Sequence, residues 1–285
     1  MVANRGQRIE GTKNIRDSIK ENAPELYSRA DQLWKKAAGG IHELQAKPNG
    51  FQQSTSHALA VERNLSRLIP DDWRGEGRPM RPIDLFVLSV SACLHDAGRG
   101  VQAQYPHFAY EDHGRLSMCY IRKLAEEYGL TRGQATAVGW VVSAHNTGNL
   151  DQLPPEDELT AVSNYGGVNV RKLASIFKLA DMLHTDETRT FHGDADELHG
   201  VARQKALARR TITGWYLKDD NTICITASPR DGEEMQAVYD SFNYMRENEL
   251  QPIATMLRLH DFPHKLEISV DIEDIRDRIE FEQNQ

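Results

Sequence analysis

Apolar residues recur every three or four positions through the first two thirds of the chain, as they do on the buried face of a helix. The helices predicted from this pattern cover residues 15–38 with a break near Pro24, then 51–69, 83–95, 113–128, 131–144 and 168–184. The segment from Ile83 to His95 is apolar on nearly all sides, so we expect it to form the buried centre of a helical bundle. Thr131 and Gln134 are spaced as a capping box at the start of their helix.

The pattern changes near residue 210. Residues 211–219 and 222–228 are β-rich runs separated by a polar turn, which predicts a hairpin. A helix over about 233–259 and a strand that begins at Lys265 follow. The predicted fold is therefore mostly α, a helical bundle with a small C-terminal α+β appendage. We divide the chain into an N-terminal helical extension (1–50), a metal-binding helical domain (51–200) and a small α+β region (201–285).

Composition narrows the class of protein. With 285 residues, 39% of them hydrophobic, the chain can bury a substantial core. Three unpatterned cysteines argue against a disulfide scaffold or a cysteine zinc site and fit a reducing compartment. No apolar run approaches a membrane span, and the first residues lack the apolar core of a signal peptide. We therefore expect a cytoplasmic protein without a membrane partner.

Six ionisable residues lie at or beside positions where the helical pattern calls for apolar ones. They are His57, His113, His145 and Asp181, each in line with apolar residues of its own helix, and the pair His95 and Asp96 at the end of the most apolar helix. A single inward histidine is usually a hydrogen-bonded core residue, but a lone inward aspartate is costly. Six on five helices are hard to explain independently. A divalent metal centre would use the histidines as ligands and neutralise the carboxylates.

The order of these residues resembles a known signature. They follow the H…HD…H…H…D pattern of the dinuclear members of the HD-domain superfamily, which are metal-dependent phosphohydrolases. The resemblance covers about residues 51–192, with SHALAVERNL, LSVSACLHDAGRG and FKLADMLHTDETR as its matching context. It implies the helical fold and the metal-dependent hydrolysis of that superfamily.

Carried over position by position, the resemblance implies two divalent transition-metal ions (Mn, Fe, Ni, Co or Zn) bridged by Asp96. The other ligands would divide into His57, His95 and Asp181 at one ion and His113 and His145 at the other. Two neighbouring ions can bind a phosphate and hold a bridging hydroxide for in-line attack, so no protein nucleophile is needed.

Arg99 is the further candidate catalytic residue. Many dinuclear relatives carry Lys at this place, three residues after the Asp, where it contacts the substrate phosphate. An arginine can bind phosphate through two hydrogen bonds, so we expect the same role for Arg99; a surface arginine beyond a helix end is the alternative. Arg189 and His107 are further candidate substrate-binding residues. Their alternatives are an ion pair with a neighbouring carboxylate for Arg189 and an ordinary loop position for His107.

The expected reaction is hydrolysis of phosphodiester or phosphoanhydride bonds in nucleotides or short single-stranded nucleic acids. The net charge of −8 favours a small nucleotide over duplex DNA. The Gly-Tyr-Pro element of cyclic-di-GMP hydrolases and the second histidine of dNTP triphosphohydrolases are both missing. Two alternatives stay open: a diiron oxygenase with the same ligands, and a nucleotide-sensing module with little turnover. The C-terminal region is the candidate surface for a protein partner or a homo-oligomer.

Overall fold

The computed structural model describes residues 12–40, 55–99, 113–147, 150–155, 159–184, 199–218 and 222–271. It is mostly helical, with a small C-terminal part that contains strands and helices, which confirms the predicted fold class. The described residues form two compact units, one up to residue 182 and one from residue 183 onwards. The division into 1–50, 51–200 and 201–285 stays a prediction.

Helices build the first unit. They are α1 Ile15–Asn22, α2 Pro24–Ala38, α3 Thr55–Leu68, α4 Pro82–Leu94, α5 His113–Lys123, α6 Arg132–Thr147 and α7 Val170–Met182. Single 3-10 turns cover Asp71–Trp73, Leu150–Gln152 and Ser163–Tyr165. The predicted break near Pro24 is confirmed, since α1 ends at Asn22 and α2 begins at Pro24. Proline suits the first position of a helix.

Helix α4 is the centre of this unit, as the sequence predicts. Every residue from Pro82 to Leu94 is buried, and the helix contacts α1, α2, α3, α6 and α7. An apolar surface on all sides is stable only when neighbours cover every side of the helix. Within the described ranges, no helix combines the length and apolar composition that a bilayer crossing requires.

A buried carboxylate joins the N-terminal helices to this centre. Glu62 of α3 accepts hydrogen bonds from Arg16 Nε of α1 at 2.9 Å and from the Ser89 hydroxyl of α4. Trp34 of α2 donates to the same Ser89 oxygen at 3.2 Å. Burial raises the pKa of Glu62, while the Arg16 guanidinium acts to lower it. This network fixes α1 and α2 against the helices that carry the first predicted ligands.

The ends of the helices follow local signals. The capping box is confirmed, because the Thr131 backbone N–H donates to Gln134 Oε1 at 3.0 Å and the Gln134 N–H donates to Thr131 Oγ1 at 3.3 Å.

Where the sequence predicts only a loop before α7, two short strands, β1 Thr160–Ala161 and β2 Gly167–Val168, pair antiparallel. Helix α7 therefore begins two residues later than predicted, after Val168.

The second unit is a small mixed sheet with helices. Its elements are α8 Gly200–Thr211, β3 Ile212–Leu217, β4 Thr222–Ala227, α9 Gly232–Met245, α10 Gln251–Arg258 and β5 Lys265–Asp271. The predicted hairpin is confirmed, since β3 and β4 pair antiparallel. The predicted third strand, β5, lies parallel to β4, an arrangement that requires the helical crossover between them.

The single helix predicted over 233–259 is wrong in one respect. A π-helical turn, Arg246–Leu250, separates α9 from α10, and Pro252 follows it. Proline lacks the backbone N–H that an α-helix needs and its ring crowds the carbonyl four residues earlier. The wider π turn just before the proline accommodates this conflict.

Candidate metal centre

The six predicted ligands meet in the first unit, each at or next to a helix end. His57 lies in the first turn of α3, His95 and Asp96 directly follow α4, His113 begins α5, and His145 and Asp181 lie in the last turns of α6 and α7. Five of them are almost fully buried, and the Asp181 side chain is 14% exposed. Distant parts of the sequence thus bring imidazoles and carboxylates to one place.

One group of side chains surrounds Asp96 Oδ2, and we call it the first cluster. His57 Nε2 lies 3.0 Å from His95 Nε2 and 3.2 Å from Asp181 Oδ1. Asp96 Oδ2 is 3.5 Å from His95 Nε2 and 3.8 Å from His57 Nε2. Two imidazole nitrogens and two carboxylate oxygens therefore converge here.

The other oxygen of Asp96 faces a second cluster. Asp96 Oδ1 lies 3.4 Å from His113 Nε2 and 3.8 Å from His145 Nε2. The two histidine nitrogens are 3.1 Å apart. One carboxylate therefore has each of its oxygens directed at a different pair of imidazoles, which is the arrangement a bridging ligand needs.

Backbone hydrogen bonds orient two of the imidazoles. His95 Nδ1 donates to the carbonyl of Ala92 at 3.0 Å, and His145 Nδ1 donates to the carbonyl of Val142. A carbonyl can only accept, so each ring carries a proton on Nδ1, and in the neutral form of the ring the inward Nε2 has a lone pair. Burial lowers the pKa of His95, which keeps that ring neutral. Such an outer hydrogen bond is typical of metal-binding histidines.

The donor set fits a divalent metal ion. Asp96 Oδ2 is buried and, among the described residues, has no hydrogen-bond partner. Burial acts to raise the pKa of Asp96, but the Arg99 guanidinium and the nearby imidazoles outweigh it and hold that pKa well below its usual range. A buried carboxylate oxygen beside imidazole nitrogens is a suitable ligand set for a divalent cation, and HD domains bind divalent metals. The number of ions and their identity stay predictions.

Of the three candidate substrate-binding residues, the structure describes only Arg99. Arg99 lies beside the centre, where its Nε donates to Asp96 Oδ1 at 2.8 Å. Its predicted contact with a substrate phosphate stays a prediction. His107 and Arg189 lie outside the described residues.

Gly98 allows the close approach of α5 to the Asp96 segment. Its backbone N–H donates to Ser117 Oγ at 2.7 Å. A Cβ at Gly98 would lie 2.3 Å from the carbonyl oxygen of His113. Gly98 does not end the preceding helix, because α4 already ends at Leu94. This position instead sets the distance between Asp96 and the start of the helix that carries His113.

Two polar side chains that the sequence analysis missed hold the ligand helices together. Asn64 Nδ2 of α3 donates to the carbonyl of Ala180 at 2.9 Å, next to Asp181. Lys178 of α7 is 4% exposed, and its Nζ donates to the backbone carbonyl of His145 at 3.3 Å. The sequence signal for the second of these contacts was a lysine three residues before Asp181, and therefore on the same side of the helix.

Replacing Lys178 with methionine is expected to weaken metal binding at the second cluster about tenfold or more. The lysine joins α7 to the last turn of α6, and loss of such outer contacts typically costs roughly 10–100-fold in metal affinity. Titration of the metal-free protein with Mn²⁺ measures the effect. Lys172→Met is the matched control, since Lys172 lies on the same helix but donates to Pro79. Equal Mn²⁺ affinities for the two variants and the parent would contradict a positioning role.

Comparison with known proteins agrees with the arrangement of these residues. The family model HD-CE matches residues 52–259, a span that contains all six side chains. No curated protein sequence and no solved structure gave a match. Since the family match covers more than two thirds of the chain, the protein belongs to the HD-CE family and carries an HD-type domain.

Proposed function

We propose that the protein is a metal-dependent phosphohydrolase that cleaves phosphodiester or phosphoanhydride bonds of nucleotides or short single-stranded nucleic acids. Membership in an HD-type family suggests a hydrolase-type enzyme. The observation that carries the proposal is the position of Asp96, whose two oxygens each face a separate pair of imidazoles. Two ions held there suit phosphate chemistry better than one.

In this proposal the residues of the chain have distinct tasks. His57, His95 and Asp181 would hold one ion and His113 and His145 the other, and Asp96 would be a ligand of both. Bound divalent ions supply Lewis acidity for a phosphoryl oxygen and lower the pKa of a water. The Nδ1 hydrogen bonds of the buried imidazoles keep the Nε2 lone pairs aimed inward, and the surrounding apolar helices restrict access of bulk water.

The cysteines support a water nucleophile over a covalent route. Cys93 lies two residues before His95 in α4, but burial raises the pKa of its thiol well above the usual value. A thiol in that environment is inert, because the thiolate is the nucleophilic form. Among the described residues, Cys224 is also buried and Cys119 lies exposed on α5.

The charge of the chain supports small substrates. The net charge of −8 opposes a broad contact with duplex phosphates, whose affinity comes mainly from many Lys and Arg contacts. A nucleotide or a short single strand needs far fewer such contacts. We therefore propose that the substrates are nucleotides or short single strands.

The test is metal analysis followed by an activity screen. The purified chain is freed of metal by a chelator, reloaded with Mn²⁺, Fe²⁺, Co²⁺, Ni²⁺ or Zn²⁺, and assayed on a chromogenic phosphodiester, nucleotides and short oligonucleotides. We expect about two ions per chain and turnover that disappears after chelation and returns with metal.

Asp72→Asn is the control variant in this screen, matched to an Asp96→Asn substitution. Asp72 is an exposed aspartate of the same unit, so its variant should keep metal content and turnover. Absence of hydrolysis with every metal, in a chain that holds its ions, would contradict the proposal. Oxygen-dependent turnover by an iron-loaded sample would instead indicate an oxygenase.

A further inference from the structure

The two clusters differ in their negative charge. The first cluster contains two carboxylates, since Asp181 Oδ1 lies 3.2 Å from His57 Nε2 and Asp96 contributes Oδ2. In the second cluster, Asp96 is the one carboxylate among the described residues that groups with both His113 and His145, while Asp181 groups with His145 and His95. Asp181 Oδ1 lies within 3.9 Å of both histidines of the first cluster, so its charge acts mainly there and favours a divalent cation at that cluster.

A positive side chain increases this difference. Arg99 Nε donates to Asp96 Oδ1 at 2.8 Å, so the guanidinium contacts the oxygen that faces the second cluster. No such hydrogen bond reaches Oδ2 from the described residues. The Arg99 side chain is 12% exposed, so solvent screens this contact weakly. The hydrogen bond of Arg99 thus lies on one side of Asp96, and its charge acts more strongly on Oδ1 than on the more distant Oδ2.

We propose that Arg99 weakens metal binding at the second cluster, so that the first cluster fills before the second. The inference rests on the proposed metal centre, but it concerns the affinities of the two sites and not the reaction. A cation at the second cluster would share Asp96 Oδ1 with a guanidinium or displace it. Either event makes the free energy of metal binding at the second cluster less favourable than at the first.

The size of the effect follows from the strength of the contact. A hydrogen bond between charged groups changes an equilibrium by roughly 10–100-fold. Removing the Arg99 charge should tighten the second site by about that factor. It should change the first site less than about threefold, because the hydrogen bond of Arg99 goes to Oδ1 and, among the described residues, none reaches Oδ2.

The experiment measures metal binding directly. The full chain is stripped of metal and titrated with Mn²⁺, with bound and free ion followed by electron paramagnetic resonance and calorimetry. The parent should show one tight and one weaker site. Arg99→Gln, which keeps a donor but loses the charge, should tighten the weaker site about tenfold or more. Arg99→Lys should keep most of the weakening, because it retains a positive charge.

Arg115→Gln is the matched control. Arg115 is an exposed arginine of α5, two residues after His113, and its loss removes the same charge from the same unit. Its Mn²⁺ affinities should equal those of the parent. Thermal unfolding of every variant verifies that each is folded, and Arg99→Met replaces Arg99→Gln if the latter fails this check.

Two results would overturn the inference in different ways. A second site that is unchanged or weaker in Arg99→Gln would assign Arg99 to orienting Asp96 or to binding the substrate phosphate. If Arg99 contacts the substrate phosphate, Arg99→Gln should bind metal as the parent does and have a lower kcat/KM. A parent chain that binds no Mn²⁺ would overturn the metal centre itself, together with the proposed function.

Discussion

Asp96→Asn is expected to lose metal from both clusters and to lower turnover about 1000-fold or more, because several kcal/mol of stabilisation by metal ions disappear. Asparagine matches the shape of aspartate but lacks its charge. Each oxygen of Asp96 faces a different pair of imidazoles, so one substitution removes a ligand from both clusters. Elemental analysis and the phosphodiester assay measure the two losses.

Single histidine variants separate the two clusters. His57→Ala should empty the first cluster and His113→Ala the second, each with the other ion retained in part. His199→Ala is the control, since His199 is exposed and precedes α8 in the other unit. An Asp96→Asn protein that is folded and retains two ions and near-normal turnover would refute the assignment of the whole centre.

Gly98→Ala is expected to destabilise the first unit by about 1–3 kcal/mol, the usual cost of forcing an extra methyl into a packed site. The new Cβ would lie 2.3 Å from the His113 carbonyl oxygen and 2.5 Å from the Ser117 backbone nitrogen. Backbone atoms cannot rotate away as a side chain can, so the start of α5 must move. We expect a melting temperature lower by roughly 2–12 °C and loss of the ion that His113 would bind.

Gly39→Ala is the matched control for this substitution. Gly39 follows α2 in the same unit at a φ of −87°, and a Cβ there would meet no atom within 4 Å. It should leave both melting temperature and metal content unchanged. A Gly98→Ala protein as stable as this control, with normal Mn²⁺ binding, would show that α5 approaches the Asp96 segment less closely than described.

The sequence predicted the candidate ligands because polar residues at inward helical positions are conspicuous. His57 and His113 stand out for this reason, since each lies in line with apolar residues of its helix. The buried helix α4 and the capping box at Thr131 were predicted by equally local signals. Helical periodicity states which side of a helix faces inward, and it predicted that His57, His113, His145 and Asp181 point into the bundle.

Contacts between distant segments could not be predicted in this way. No local pattern shows why residue 98 is a glycine, because the reason is the close approach of the α5 backbone. The partner of Lys178 is a backbone carbonyl on another helix, which no local pattern reveals. Likewise, the pairing of Arg99 with Oδ1 and not Oδ2 of Asp96 depends on the orientation of that carboxylate.

The location of the ligands at helix ends links metal affinity to local opening. Terminal turns open more easily than the middle of a packed helix, so a ligand there is available only while its turn stays closed. Affinity then depends on the contacts that close these turns, such as those of Asn64 and Lys178, more than on the stability of the whole bundle. A core substitution in α4 can lower the melting temperature and spare the centre, whereas a loosened helix end can lose an ion from a bundle that melts normally.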